Sequence, residues 1–300
     1  MGADMATTCY QTTARGFIKT PHGNIEYRES GDKNLPKLVL LHSSPRSSID
    51  YQPLLKYLDP HFNVFAPTTA GYGDSDRPPT PYETVDDFTQ SLEWVIDGLG
   101  LKSFNLYGAR TGAQIAINYQ IRNQSKIDNL ILEEPFDYSN EDGHALHKRI
   151  HTYYPEKADG SHLLEMWQRA GGNKPGADFN EVTENFMHYL NINAGWEDVK
   201  ELYWDMGWEG AGPHAICNFD VFKAAKEVSC PTLIIHGSES RLLKLHDKYL
   251  STIEGSVGSI IDTSNYKDKL GNPSNISGQF SPHIEPEKWV SMIADFTKSN

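Results

Sequence analysis

The stretch from Phe104 to Ala113, Phe-Asn-Leu-Tyr-Gly-Ala-Arg-Thr-Gly-Ala, constrains this chain more than any other. An apolar run suited to a buried strand enters Gly108-Ala109-Arg110-Thr111-Gly112 and leaves as the helix-forming Ala113-Gln114-Ile115-Ala116-Ile117. Two glycines flanking one polar residue predict a tight strand-to-helix turn of the nucleophile-elbow kind, which lifts a single side chain above the end of a sheet. Here that side chain is Arg110. A guanidinium stays protonated to about pH 12 and has no lone pair for attack. Covalent acyl or alkyl transfer through this position is therefore excluded.

The rest of the sequence supplies a sheet for that turn. Phe17 to Thr20 and Ile25 to Glu29 flank Pro21-His22-Gly23-Asn24 and read as an antiparallel hairpin. Lys37 to Leu41, Asn63 to Pro67, Ile127 to Leu132, Thr232 to His236 and Val257 to Asp262 are apolar runs of the length of buried strands. Helical stretches separate them. Phe88, Leu92, Val95, Ile96 and Leu99 form a stripe of 3.6-residue period, with Thr84 and Asp87 as its N-terminal cap and Gly100 as its end. Alternating strands and helices predict an α/β domain with a mostly parallel, doubly wound sheet. Between residues 134 and 228 the strand signal disappears and the sequence becomes helix-compatible and aromatic-rich, holding Trp167, Trp196, Trp204 and Trp208 and the pair Tyr153-Tyr154. The expected organisation is a core of 1–133 and 229–300 with a helical cap of 134–228 inserted.

In this order the segments resemble the α/β-hydrolase superfamily, particularly its epoxide-hydrolase-like branch with a helical cap. The resemblance rests on Leu41-His42-Ser43-Ser44-Pro45 at the oxyanion segment, Gly71-Tyr72-Gly73-Asp74-Ser75, the elbow, Pro231 to Gly237 before the acid loop, and Gly278 to Pro286 at the histidine loop. It implies a Ser, Asp or Cys nucleophile, an acid and a histidine base. Those positions fall on Arg110, Ser240 and Gln279. None of the three can do its part of hydrolysis, since Gln279 has no proton affinity near neutral pH. Glu133, Glu134 and Asp137 follow a strand after which some members of the fold place their acid.

A buried guanidinium needs an anionic partner. That partner is either an internal carboxylate, Glu134 or Glu239, or the ligand, because the guanidinium fork binds a carboxylate or enolate through two parallel bonds. The expected catalytic set is Arg110, His42 and Gln279, with the backbone amides of Ser44 and Thr111 as an oxyanion hole that needs no triad. Expected substrate contacts are Arg46, Tyr72, Glu134, His144, Tyr153, Trp167, Trp204, Ser240 and His283. His144, His147 and His151 share one helix face, but with no fourth ligand they are not read as a metal site.

The 300 residues carry a net charge of -13 and a pI near 5.3, which disfavours nucleic acid or an anionic membrane as partner. Cys9, Cys217 and Cys230 are too few and too scattered for a disulfide framework or a zinc site. The first residues lack the basic start and apolar core of a signal peptide, and no apolar run approaches the roughly 20 residues of a membrane span. A cytoplasmic enzyme without cofactor is expected, acting on a small anionic or carbonyl-bearing metabolite as a lyase, isomerase or cyclase. An inactive binding protein and a hydrolase with relocated groups are the alternatives, and a homodimer stays open.

Overall fold

The computed structural model describes residues 13–193, 199, 201–264 and 281–299. The hairpin is present as β1 (Ala14–Thr20) and β2 (Gly23–Ser30), paired antiparallel from Ala14 with Glu29 to Thr20 with Gly23. It is followed by β3 (Lys37–Leu41), α1 (Gln52–Leu58), β4 (Asn63–Pro67), α2 (Val85–Leu99), β5 (Phe104–Ala109), α3 (Thr111–Arg122) and β6 (Ile127–Glu133). After β6 the described residues form only helices: α4 (Glu141–Ile150), α5 (Ser161–Arg169), α6 (Phe179–Asn193), α7 (Ala211–Cys217) and α8 (Val221–Ala225). The chain then returns to the sheet with β7 (Thr232–Gly237), α9 (His246–Thr252) and β8 (Val257–Ile261), and ends with α10 (Ser281–Ile284) and α11 (Pro286–Ser299).

The eight strands order as β1-β2-β4-β3-β5-β6-β7-β8, and every neighbouring pair from β4 to β8 is parallel. Alternation within each strand explains why the strands read as unbroken apolar runs. Leu38 and Leu40 face a core with α1 and α11, closed by Leu54, Trp289 and Ile293, whereas Val39 and Leu41 face the other core with α2 and α3. Both faces of the central strands are covered, so apolar residues fall on both parities. The start of α2 has the expected reciprocal cap. The Thr84 hydroxyl accepts from Asp87 N–H at 3.2 Å and the Asp87 carboxylate accepts from Thr84 N–H at 2.9 Å.

The turn between β5 and α3 is built on close backbone approach. A Cβ on Gly108 would lie 2.3 Å from the Gly112 carbonyl oxygen, and one on Gly112 would lie 2.5 Å from that of Leu41. Arg110 occupies the apex at φ 51°, ψ -108°, a left-handed conformation that costs a residue with a Cβ about 1–3 kcal/mol. Gly108→Ala is expected to lower stability by about 3 kcal/mol, because the new methyl meets backbone that cannot swing aside. Gly100→Ala, at φ 69° with nothing within 4 Å of the added Cβ, should lose only about 1 kcal/mol. Urea unfolding midpoints of the two variants check the contrast.

Candidate active site

The chain runs outward from β3 to β4 and then crosses back to β5 on the other side of β3. This reversal leaves a crevice beyond the carboxyl ends of β3 and β5, where open α/β sheets bind their ligands. Leu41 is in register with Gly108, so the loop after β3 and the Arg110 turn are neighbours. Over them lies a cavity of about 290 Å³. Ser44, Arg110 and Thr111 line it from the sheet side, and Arg241 and Leu242 from the loop after β7. The helical segment contributes His147, His151, Arg169, Tyr189 and Glu209.

Beneath Arg110 lies Glu134, fully buried and itself at φ 52°. Its Oε1 accepts from Gly237 N–H at 2.8 Å and its Oε2 from the Ser240 hydroxyl, whose oxygen in turn accepts from Leu242 N–H at 3.1 Å. Burial raises the Glu134 carboxyl above its ordinary pKa while Arg110 pulls it down. The converse holds for Arg110. Burial lowers its guanidinium, Glu134 opposes, and Arg241 adds like-charge repulsion.

A second set faces the cavity from the helical segment. Glu209, 2% exposed, lies 2.6 Å from His151 Nδ1 and receives both terminal nitrogens of Arg169, one at 2.7 Å. Burial pushes its carboxyl up, but the His151 and Arg169 bonds outweigh it and hold the pKa below the usual carboxylate value. The Arg169 guanidinium also lies 4.2 Å from the Tyr189 ring centroid. His147 stacks on His151 at 5.2 Å and meets the edge of Tyr138 at 4.9 Å. Burial, with His151, Arg241 and His144 adding to it, depresses the His147 imidazole to about 3.

A family profile described as alpha/beta hydrolase fold matches residues 36–253, more than half of the chain. The chain belongs to the α/β-hydrolase fold family. It is 26% identical over 231 residues to a proline iminopeptidase of Lactobacillus helveticus, covering 71% of this chain and 77% of that protein. To the carboxylesterase YbfK of Bacillus subtilis it is 27% identical over 119 residues, 40% of each chain, so the match spans only about two fifths of that relative. The crystal structure of that carboxylesterase superposes with a TM-score of 0.69 at 16% identity, covering 96% of this chain and 93% of that one. An enol-lactonase structure from Burkholderia xenovorans LB400 superposes with a TM-score of 0.67 at 19% identity, covering 94% and 100%.

On this α/β-hydrolase scaffold the cavity wall holds some of the residues expected from the sequence and not others. Arg110, Ser44 and Thr111 line it, and Glu134 and Ser240 are joined behind Arg110. His42, expected as an acid or base, has both ring nitrogens on backbone, Nδ1 at 3.0 Å from Ser43 O and Nε2 accepting from Thr69 N–H at 2.9 Å. Arg46, expected to meet an anionic ligand, is instead forked onto Asp50 at 2.7 and 2.9 Å. The Tyr72 hydroxyl donates to Trp208 O and accepts from Gly212 N–H, and burial pushes it up to about 12. His144 contacts Cys217 O at 3.3 Å and stacks with Trp204, whose ring also meets His214, so both fasten the helical segment together. Trp167 packs on Phe179 and Phe186, Tyr153 covers Gly207, and His283 is exposed on α10. Gln279 lies outside the described residues.

Sequence reasoning passed over Tyr138, Arg169, Tyr189, Glu209 and Arg241. The available signal was Glu209 itself, a lone carboxylate in the otherwise uncharged run Met206-Gly-Trp-Glu-Gly-Ala-Gly. Among the described residues no helix is long and apolar enough to cross a membrane, and no cluster of His, Cys, Asp or Glu is arranged to hold a metal ion.

Because His147 is depressed in the folded state, its contribution to stability is complete above the unfolded value of about 6.5 and falls away as the pH drops from there towards 3. This one group should remove about 2 kcal/mol between pH 7.5 and 5. Thermal melts across that range should show a steeper loss for the native protein than for His147→Gln; parallel curves would refute the assignment.

Proposed function

We propose that this chain is a cofactor-independent, non-hydrolytic enzyme, a lyase, isomerase or cyclase, acting on a small anionic or carbonyl-bearing metabolite. The observation that carries the reading is the charge on the cavity wall. Three guanidiniums, Arg110, Arg169 and Arg241, face it against the single carboxylate of Glu209, in a chain of net charge -13. Like charges gathered in a partly desolvated crevice raise the local concentration of a small anion. Arg110 stands at the start of α3, where the helix dipole adds to its attraction. The helical segment 134–228 acts as the lid over this site.

The relatives named above are hydrolases, but the residues that the sequence resemblance puts at the triad positions of this chain are unsuited to hydrolysis. By the sequence resemblance the nucleophile, acid and base positions fall on Arg110, Ser240 and Gln279. The Ser240 hydroxyl is given to Glu134, so a neutral group stands where a charged one would stabilise an imidazolium. Loss of a whole triad lowers kcat by about 10⁶, roughly 8 kcal/mol. What survives is the ability to polarise a carbonyl, through the Ser44 and Thr111 amides and the guanidiniums. That ability suits enolisation, elimination or ring closure.

One observation favours a second reading, a binding protein without turnover. Glu134 faces Arg110 from inside, which would make the pair a structural plug. Calorimetric titration with small carboxylates tests whether Arg110 anchors a ligand or is such a plug. The enzyme reading expects wild-type binding to fall about 100-fold in Arg110→Ala, close to 3 kcal/mol, and to return in part in Arg110→Lys. Unchanged affinity in Arg110→Ala removes the anchoring role. Labelling of the purified protein by a fluorophosphonate serine probe would revive hydrolysis.

A further inference from the structure

The reading of the cavity as an anion site leaves its proton chemistry unassigned, and the helical segment holds the groups for it. His151 and Glu209 make a carboxylate-imidazole dyad, Nδ1 to Oε1 at 2.6 Å, with side chains only 10% and 3% exposed. Arg169 fixes the carboxylate from the far side and also donates to Ile150 O at 2.8 Å. His147, four residues before His151, stacks on it with ring planes 20° apart. Only 4% of His147 is exposed, yet among the described residues neither of its ring nitrogens has a hydrogen-bond partner. Leaving such groups unsatisfied costs about 1–3 kcal/mol each. Since His147 lines the cavity, a ligand there is positioned to satisfy it.

We propose that the helical segment carries the acid–base machinery for a small enolisable oxo acid: His151, oriented by Glu209, removes the proton next to the carbonyl, and His147 donates its N–H to the carbonyl oxygen. The proposal rests on the anion-site reading above, with Arg110 and Arg241 holding the carboxylate. In the step a C–H bond breaks as an N–H bond forms at His151 Nε2, and the electron pair moves onto the carbonyl oxygen as an enolate. Return of the proton to the same or a neighbouring carbon restores the imidazole, so no oxidant or reductant is consumed. Two stacked rings cannot both be charged at low cost. Glu209 orients His151 through its Nδ1, as the carboxylate of a triad does for its histidine. His147 then stays neutral and serves as the donor to the enolate, the role in which a neutral imidazole is effective.

The test is deuterium exchange at C3 of pyruvate and phenylpyruvate in D2O, followed by proton NMR, beside calorimetric binding of oxalate, a planar mimic of the pyruvate enolate. The full chain should exchange well above the buffer rate. His151→Gln should slow exchange about 100-fold or more while oxalate affinity stays within about threefold. Nitrogen NMR of the unmutated protein gives a readout independent of any variant: oxalate should shift the His147 and His151 ring signals. Oxalate binding that needs Arg110 but comes with no exchange, with exchange surviving His151→Gln, or with unmoved imidazole signals overturns the dyad and keeps the anion site. If the unmutated protein binds no oxalate, the anion-site reading fails with it.

Discussion

The meeting of two strained, oppositely charged residues at the ends of adjacent parallel strands sets the character of this protein. Arg110 closes β5 at φ 51° and Glu134 closes β6 at φ 52°. The backbone ties them into the sheet, since Arg110 N–H donates to Glu133 O at 2.9 Å and Glu134 N–H to Ile235 O at 2.8 Å. Burying either charge alone would cost several kcal/mol, so each makes the other tolerable. Arg241, which repels Arg110, tips the local balance to positive.

The geometry of the turn does not dictate which side chain it raises. The glycines at 108 and 112 are required by backbone contacts of under 3 Å, and those contacts are indifferent to the residue raised between them. A turn that positions a nucleophile in a hydrolase therefore positions a guanidinium here without any change of fold. Ser240 lies after β7, and its hydroxyl donates to the Glu134 carboxylate. The helical segment is less bound by the sheet. It carries the Arg169, Glu209 and His151 set and the stacked His147, whose relative positions depend on α4, α5 and the turn before α7 packing together.

The expected ligand contacts that already have partners within the protein show where local reading stops. His42, Arg46 and Tyr72 are polar or charged groups in loops that border the crevice, which is why they resembled ligand contacts. Each is taken up by a partner within the border itself: backbone of Ser43 and Thr69 for His42, Asp50 for Arg46, and backbone of Trp208 and Gly212 for Tyr72. A side chain with its hydrogen bonds already satisfied has little left to offer a ligand. Whether a partner is present depends on residues distant in sequence, such as the 136 positions between Tyr72 and Trp208.

Strand identity, the mostly parallel sheet, the capped α2 and the tight turn at Arg110 were all legible in the amino-acid sequence, because each follows from short-range periodicity, capping or steric need. The cavity wall was not. Arg169, Glu209 and Arg241 come from three separate segments, and an isolated charge in a sequence carries no sign of whether it faces water or a crevice. The tertiary structure alone decided that, by bringing those charges to the Arg110 turn and turning His147 and His151 inward while His144, on the same helix, was spent on packing.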